Sequence, residues 1–266
     1  IRDSFTTSEI RYMKKHIPNL FTLLNLFSGM LAVLMAATDR LVPAAGFVLL
    51  GIFFDFFDGF FARKFKIQGE LGKQLDSLAD VVTSGVVPGI IMFQLLLHAA
   101  KESWFMELSC EKGSWSTFDE TFYYFIPFVG LLIPLASAFR LANFNIDERQ
   151  TDSFIGLPTP AFSIFIISLP LILTYAETSF FASWIQNTYF LVGITLLGCY
   201  MMNANIPLFS LKFKTYGWKG NEIQYIFLGL SALLLAVLQL VGVPLIIVLY
   251  VLMSVIQNKR LSKNPK

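Results

Sequence analysis

The sequence predicts an all-α, polytopic membrane helical bundle, and three observations predict it. Of the 266 residues, 55% are hydrophobic and only 14% are charged, with a mean hydropathy of +0.64; a soluble domain carries about a quarter charged residues. The apolar residues are gathered into long runs of membrane-spanning length. Lysine and arginine, in turn, concentrate in alternate segments between those runs, the distribution expected of a chain that crosses a bilayer repeatedly.

Eight apolar runs are expected as spans: 17–37, 42–62, 72–99, 122–143, 161–175, 184–202, 223–240 and 244–258. Residues 1–15 are polar and basic and carry no signal-peptide pattern, so residues 1–16 read as a cytoplasmic N-terminal segment and the first run as a retained span. The fifth run is short of the roughly 20 residues a crossing takes, and Pro158 and Pro160 precede it. Residues 241–243 are all that part the last two runs, which predicts a tight helical hairpin. One membrane domain is expected over 1–266, with core helices at 17–202, about six of them, and a loop, hairpin and basic tail at 203–266. With the N-terminus inside, seventeen of the twenty Lys and Arg residues fall on inner segments; Arg40, Lys101 and Lys112 fall outside. Both termini are therefore expected in the cytoplasm, in a bacterial inner membrane. The outer loop at 101–121 is acidic and holds Trp104 and Trp115, residues suited to an interfacial belt. Cys110 and Cys199 have a spacing that suits neither a metal site nor a disulfide framework, and Cys199 reads as packing. His16 and His98, near span ends, are not expected to be ligands. Nothing in the sequence points to nucleic acid.

Between the second and third runs lies DFFDGFFARKFKIQGELGKQLDSLAD, from Asp55 to Asp80. Asp55 and Asp58 are three apart, Asp76 and Asp80 four apart, so each pair shares one face of a helix. The stretch reads as two helix ends, each presenting two acids, joined by a short basic loop. Carboxylates at such range repel one another and are costly to bury unpaired. Hard divalent cations relieve both problems, and an all-oxygen ligand set suits Mg²⁺ or Mn²⁺. A buried salt-bridge network with Arg63 and Lys64 is the structural alternative; an ion path through a divalent-cation transporter is the functional one, although transport sites lie nearer the bilayer midplane.

The stretch fits a longer pattern: Asp58-Gly59, two residues, Ala62-Arg63, eight residues, Gly72, three residues, Asp76, three residues, Asp80, with Asp55 three before it. This resembles the signature of the CDP-alcohol phosphotransferase family at every signature position. The resemblance implies a membrane enzyme that moves a phosphatidyl or similar group from a CDP-linked lipid to an alcohol. It implies Asp55, Asp58, Asp76 and Asp80 as ligands of two ions, with Asp80 also the general base. A CDP and diphosphate site is implied over Asn25, Asp58, Gly59, Ala62, Arg63, Gly72 and Asp76. By the same resemblance a homodimer is expected. Physically, Gly59 would let a helix backbone approach the nucleotide, and Arg63 offers a planar fork of donors to a phosphate.

Two further stretches bear on the acceptor. IPNLFTLLNLFSG (17–29) places Pro18, Asn19, Thr22 and Asn25 in a polar stripe on an apolar helix, readable as interhelix packing or as a wall of the nucleotide pocket. ASAFRLANFNIDERQTDSFIGLPTPA (136–161) ends in a stiff Gly-Leu-Pro-Thr-Pro turn. Together with PLFSLKFK (207–214) they resemble the membrane-type phosphatidylserine synthases within that family. The resemblance implies CDP-diacylglycerol and L-serine as substrates. Arg140, Asn143, Asn145 and Arg149 are the candidates for holding serine, though both arginines also fit cations snorkelling at a span end. Lys212 and Lys214 could attract anionic lipid or simply fix topology. Glycerol 3-phosphate or an inositol phosphate is the rival acceptor.

Overall fold

The computed structural model describes residues 2–65, 69–100, 125–146, 154–209, 217–218 and 221–263. α1 spans Arg2–Ala37, α2 Leu41–Phe65, α3 Glu70–Asp80 and α4 Val87–Ala99, with a π-helical turn, Val81–Val86, joining α3 to α4. A 3-10 turn over Ile126–Leu131 leads into α5, Leu132–Ile146; α6 (Thr159–Tyr175), α7 (Phe180–Ile185) and α8 (Thr188–Asn203) follow. Beyond these lie α9 (Glu222–Leu238) and α10 (Gly242–Lys263). Among the described residues the only strands are two-residue segments, β1 (Phe154–Ile155) and β2 (Pro207–Leu208), which pair antiparallel.

Five stretches are long and apolar enough to cross a membrane: His16–Ala37, Leu41–Phe65, Glu70–Ala99, Ile126–Ile146 and Glu222–Asn258. This is an integral membrane protein. Helix α1 is amphipathic in the sense opposite to the helices of soluble proteins. On α1 the large residues Leu20, Leu23, Phe27, Met30 and Leu34 face outward, while Thr22, Asn25, Ser28, Ala32 and Ala36 are buried. Apolar tails offer no hydrophobic drive for association, so small and polar groups line the helix contacts. The α3–α4 stretch is the most enclosed of the five, packed against α1, α2, α5, α6 and α8. Ile91, Met92, Leu95 and Leu96 of α4 meet Ile133 of α5 and Ile166, Ile167 and Leu169 of α6 in the core.

Three boundaries differ from expectation, each for a local reason. The third run is one stack but widens at Val81–Val86, where the Val87 N–H reaches back to the Val82 carbonyl. Pro88, one residue later, has no N–H for the carbonyl of Ser84, so the regular ladder could not continue there. The sixth span starts at Thr188 rather than at 184: Trp184 belongs to α7, and Asn187 Oδ1 caps α8 by accepting the Phe190 N–H at 3.1 Å. That leaves α8 with 16 residues, so it is short like α6 with 17. The C-terminal run reverses at Gln239, whose φ is +49°, two residues before the expected turn, and α9 and α10 pack together as the hairpin. Gly156, at φ +75°, starts the Gly-Leu-Pro-Thr-Pro turn; its N–H donates to Ile206 O and that of Leu157 to Met201 O, both at 2.9 Å, tying the entry of α6 to the exit of α8.

One crossing is set by glycine. A Cβ on Gly51 of α2 would sit 2.6 Å from the Thr83 methyl and 2.9 Å from Asn25 Oδ1. The missing side chain is what lets α1, α2 and the π turn meet. Gly51→Ala is expected to cost about 1–3 kcal/mol through overpacking, read as a lower thermal midpoint of the purified protein in detergent; an unchanged midpoint would mean the three segments separate freely.

Candidate active site

The two acid pairs converge as their spacing predicts. Asp55 and Asp58 project from the last three turns of α2, and Asp76 and Asp80 from the end of α3. Carboxylate oxygens of Asp55, Asp76 and Asp80 all lie within 4.8 Å of one another, each half-buried. Asp58 stands beside this trio rather than in it. It is 7% exposed, and its Oδ2 accepts a hydrogen bond from Thr22 Oγ1 at 2.7 Å. Asn25 Nδ2 donates to Asp80 Oδ1 at 3.2 Å. The polar stripe of α1 therefore does two jobs: it packs between helices, and it supplies the hydrogen bonds that hold two of the four acids.

Thr22 also lies 3.2 Å from the Pro18 carbonyl, so its single proton is shared between a local acceptor and Asp58. Gly72, at the start of α3, faces Asn19, with room for a Cβ only 3.3 Å from Asn19 Oδ1. Gly59 lies beside Arg63: a Cβ there would be 3.5 Å from the guanidinium, which folds back over the glycine from an exposed position. Ala62, half-buried between them, adds no bulk. The signature's small residues thus keep a shelf open along the end of α2, with the arginine at its rim.

Across the cluster stands Arg140 of α5. It is 8% exposed and close enough to Asp80 for the two charges to act on each other. Among the described residues it is the one buried cation. Asn143 is exposed on the next turn, and Asn145 is engaged structurally: its Nδ2 donates to Ser77 Oγ at 2.8 Å, while its carbonyl accepts from Lys73 Nζ at 2.6 Å. These two bonds lash the end of α5 to α3, a contact for which no residue pattern provides a signal. Arg149, Lys212, Lys214, Cys110, Trp104 and Trp115 lie outside the described residues. Cys199 is half-buried against the core, as expected of packing. His98 is at the other end of the bundle, 2.8 Å from Asp39, and its partner was not foreseen either.

The donor set suits a hard divalent cation. Oxygen ligands around Mg²⁺, Mn²⁺ or Ca²⁺ stand about 2.1–2.5 Å from the ion and so about 3–5 Å from each other, which is the span of the trio. Asp76 Oδ1 is buried without a hydrogen-bond partner, as is Asn25 Oδ1. Three carboxylates facing one another, with lone pairs left over, call for positive charge between them.

The family model for CDP-alcohol phosphatidyltransferases matches residues 15–199, and the chain belongs to that family. Among curated proteins it is similar to the CDP-diacylglycerol–serine O-phosphatidyltransferase of Bacillus subtilis (strain 168), 31% identical over 149 residues, or 54% of this chain and 70% of that one. The enzyme of the same name from Helicobacter pylori (strain 26695) is 29% identical over 215 residues, 80% of each chain. An archaetidylserine synthase of Methanothermobacter thermautotrophicus is 32% identical over 166 residues, 61% of each chain.

Asn145→Ala removes the bond to Ser77 and leaves the backbone carbonyl that Lys73 uses. A side-chain hydrogen bond is worth about 1 kcal/mol net, so amide exchange in α3 around Ser77 is expected to quicken about fivefold. Unchanged exchange there would show that the contact does not hold α3.

Proposed function

We propose that this chain transfers the phosphatidyl group of CDP-diacylglycerol to the hydroxyl of L-serine, giving phosphatidylserine and CMP. The observation that carries this reading is the meeting of three carboxylates on α2 and α3 with the buried cation of α5. The first group suits a diphosphate with its metal ions; the second suits an acceptor bearing one negative charge. Glycerol 3-phosphate and inositol phosphates bring a phosphate, which calls for a denser set of cations than the single buried arginine among the described residues. The names of the relatives share serine while their lipids differ, which favours the same acceptor.

In this reading Asp55, Asp76 and Asp80 hold one or two Mg²⁺ or Mn²⁺ ions, and Asp58, braced by Thr22, completes the set from the side. Bound metal would neutralise the diphosphate and stabilise charge on the departing CMP. The chain's own residues supply position and a proton acceptor. Asn25, Asp58, Gly59, Ala62, Arg63, Gly72 and Asp76 form the shelf for CDP, with Arg63 reaching a phosphate from the rim. Asn25 fixes one oxygen of Asp80, leaving the other to accept the proton of the serine hydroxyl. The serine oxygen then forms its bond to the lipid-side phosphorus as the bond from phosphorus to the CMP oxygen breaks, and the proton stays on Asp80. Arg140 draws the serine carboxylate, with Asn143, three residues on, and Arg149, in the segment that follows α5, as the further candidates. Seventeen of twenty Lys and Arg residues on alternate segments support a cytoplasmic site, with both termini on that side. A homodimer in a bacterial inner membrane, one catalytic unit over 17–202 with the C-terminal hairpin appended, is the assembly this reading carries.

The test is CMP release from CDP-diacylglycerol by the purified protein with each candidate alcohol. L-serine is expected to drive it, chelation to stop it and Mn²⁺ or Mg²⁺ to restore it; release with another alcohol and none with serine would sink the assignment. Asp80→Asn should keep CDP-diacylglycerol binding and lose turnover by about a hundredfold or more. Near-normal turnover would remove Asp80 from the role of base. Thr22→Val should raise the Mn²⁺ concentration for half-maximal binding, followed by paramagnetic resonance, by about tenfold, as loss of a ligand's supporting hydrogen bond does; an unaltered binding curve would separate Asp58 from the metal.

A further inference from the structure

Buried polar side chains in folded proteins almost always have partners. Four hydroxyls and one guanidinium nitrogen next to the carboxylate cluster have none: Ser84 Oγ, Ser137 Oγ, Thr159 Oγ1, Ser163 Oγ and Arg140 Nε. Their residues are 2%, 0%, 1%, 0% and 8% exposed, in that order. The default in an apolar helix is for a serine or threonine to bond the carbonyl one turn back. Thr38, Thr174, Thr195 and Ser254 of this chain do so. The four hydroxyls beside the cluster do not. The other unpartnered side chains outside the cluster, Ser179, Ser231 and Gln257, belong to the entry of α7, to α9 and to α10.

The five groups sit on three segments that pack together: the π turn, α5 and α6. Ser137 and Arg140 are three apart on α5, and Thr159 and Ser163 four apart on α6, so each pair shares a face. Gly85, next to Ser84, brings the π turn so near α5 that a Cβ would lie 2.9 Å from Ser137 Oγ. The π turn follows Asp80 directly, and Arg140 feels the Asp80 charge. This hydroxyl-lined region is thus the continuation of the site away from the metal ligands and toward α6.

We infer that Ser84, Ser137, Thr159 and Ser163, together with Arg140, form the wall that recognises the α-ammonium and α-carboxylate of the acceptor amino acid. The inference rests on the serine-transfer reading above and adds the residues that select the acceptor. A compact zwitterion matches the inventory. Its ammonium brings three donors for hydroxyl lone pairs, and its carboxylate accepts from Arg140 and from hydroxyl protons. The hydroxyls are uncharged, so they satisfy both ends without a second buried charge. The acceptor's own side-chain hydroxyl is then left to face Asp80. A doubly charged phosphate finds only one buried cation there among the described residues.

The experiment compares wild type with Ser137→Ala, Ser163→Ala and the isosteric Thr159→Val, using Ser231→Ala on α9 as control, each assayed for CMP release against L-serine and against CDP-diacylglycerol. Thermal protection by L-serine, with D-serine and ethanolamine as comparisons, is read on the same samples. In the first three variants the KM for L-serine is expected to rise about tenfold each, with the KM for CDP-diacylglycerol within about twofold of wild type and serine protection reduced in step. The control should match wild type in every reading. An unchanged serine KM in the three variants, or an equal rise in both KM values, overturns the inference while leaving serine transfer standing. Absence of serine-dependent release by wild type overturns both. Should either alanine variant fail to fold, Thr159→Val, which keeps the side-chain shape, decides between these outcomes.

Discussion

The arrangement depends on burying four carboxylates at one end of an apolar bundle. Such groups are expensive away from water unless each oxygen has a donor or a cation. Helix α1 meets part of that need with Thr22 on Asp58 and Asn25 on Asp80, at 2.7 and 3.2 Å. Both bonds require α1 to lie close against α2 and the α3–α4 stretch, and Gly51 opposite Thr83 and Asn25 makes the approach possible. The Thr83 hydroxyl then donates to the Asn25 carbonyl at 3.3 Å, fixing the residue that holds Asp80. Packing and electrostatics are one constraint here, since a wider crossing would release the acids from their donors.

Much of this was legible in the sequence. The apolar runs located the helices because a bilayer imposes a length, and the three- and four-residue spacing of the acids placed each pair on a face. The stripe of Thr22 and Asn25 was visible too, although the residues it would meet were not, because helix spacing says nothing about which neighbour a face meets. The π turn was hidden: residues 72–99 read as one unbroken run, and whether the chain kinks or widens before Pro88 depends on Thr83 and Gly85 finding partners in other helices. The Ser77–Asn145 bond joins residues far apart in sequence with no periodic signal linking them. The early start expected for the sixth span came from reading Trp184 as part of an apolar run, when Asn187 caps a new helix three residues on.

The two ends of the bundle are built differently. At the end bearing the acids, polar groups are buried and several lack partners, as in a site that awaits ligands. At the other end His98 Nε2 lies within hydrogen-bond distance of Asp39 Oδ1, both side chains about half exposed, and Gln94 donates to the Ala36 and Ala37 carbonyls at the close of α1. Those bonds satisfy helix-end groups and pin the α1–α2 turn, where Asp39 adopts a φ of +59°. A cavity of about 560 Å³ opens beside them, where the side chains of His98, Asp39 and Thr174 are already hydrogen-bonded. Most of the unpartnered buried groups among the described residues fall at the end bearing the acids, with Ser179 at the entry of α7 an exception.

The division of labour between helices follows from the π turn. An uninterrupted α-helix through residues 70–99 would continue the Asp76–Asp80 face in register along one line. The widened turn directly after Asp80 faces both ways: Thr83 meets Asn25 of α1 and Gly51 of α2, while Gly85 meets Ser137 of α5. Asp80 thereby stands where two surfaces meet: the α1–α2 side, with its carboxylates, shelf and Arg63, and the α5–α6 side, with Arg140 and the unpartnered hydroxyls. In the proposed transfer the lipid-side phosphorus belongs to the first surface and the attacking hydroxyl to the second. A base must touch the second while being held by the first. Asn25 grips one oxygen of Asp80 from α1, and Arg140 acts on its charge from α5. Changing the acceptor could then proceed by altering the α5–α6 wall alone, with the metal ligands and their donors on α1 untouched, which gives a physical reason for one signature to serve many alcohols.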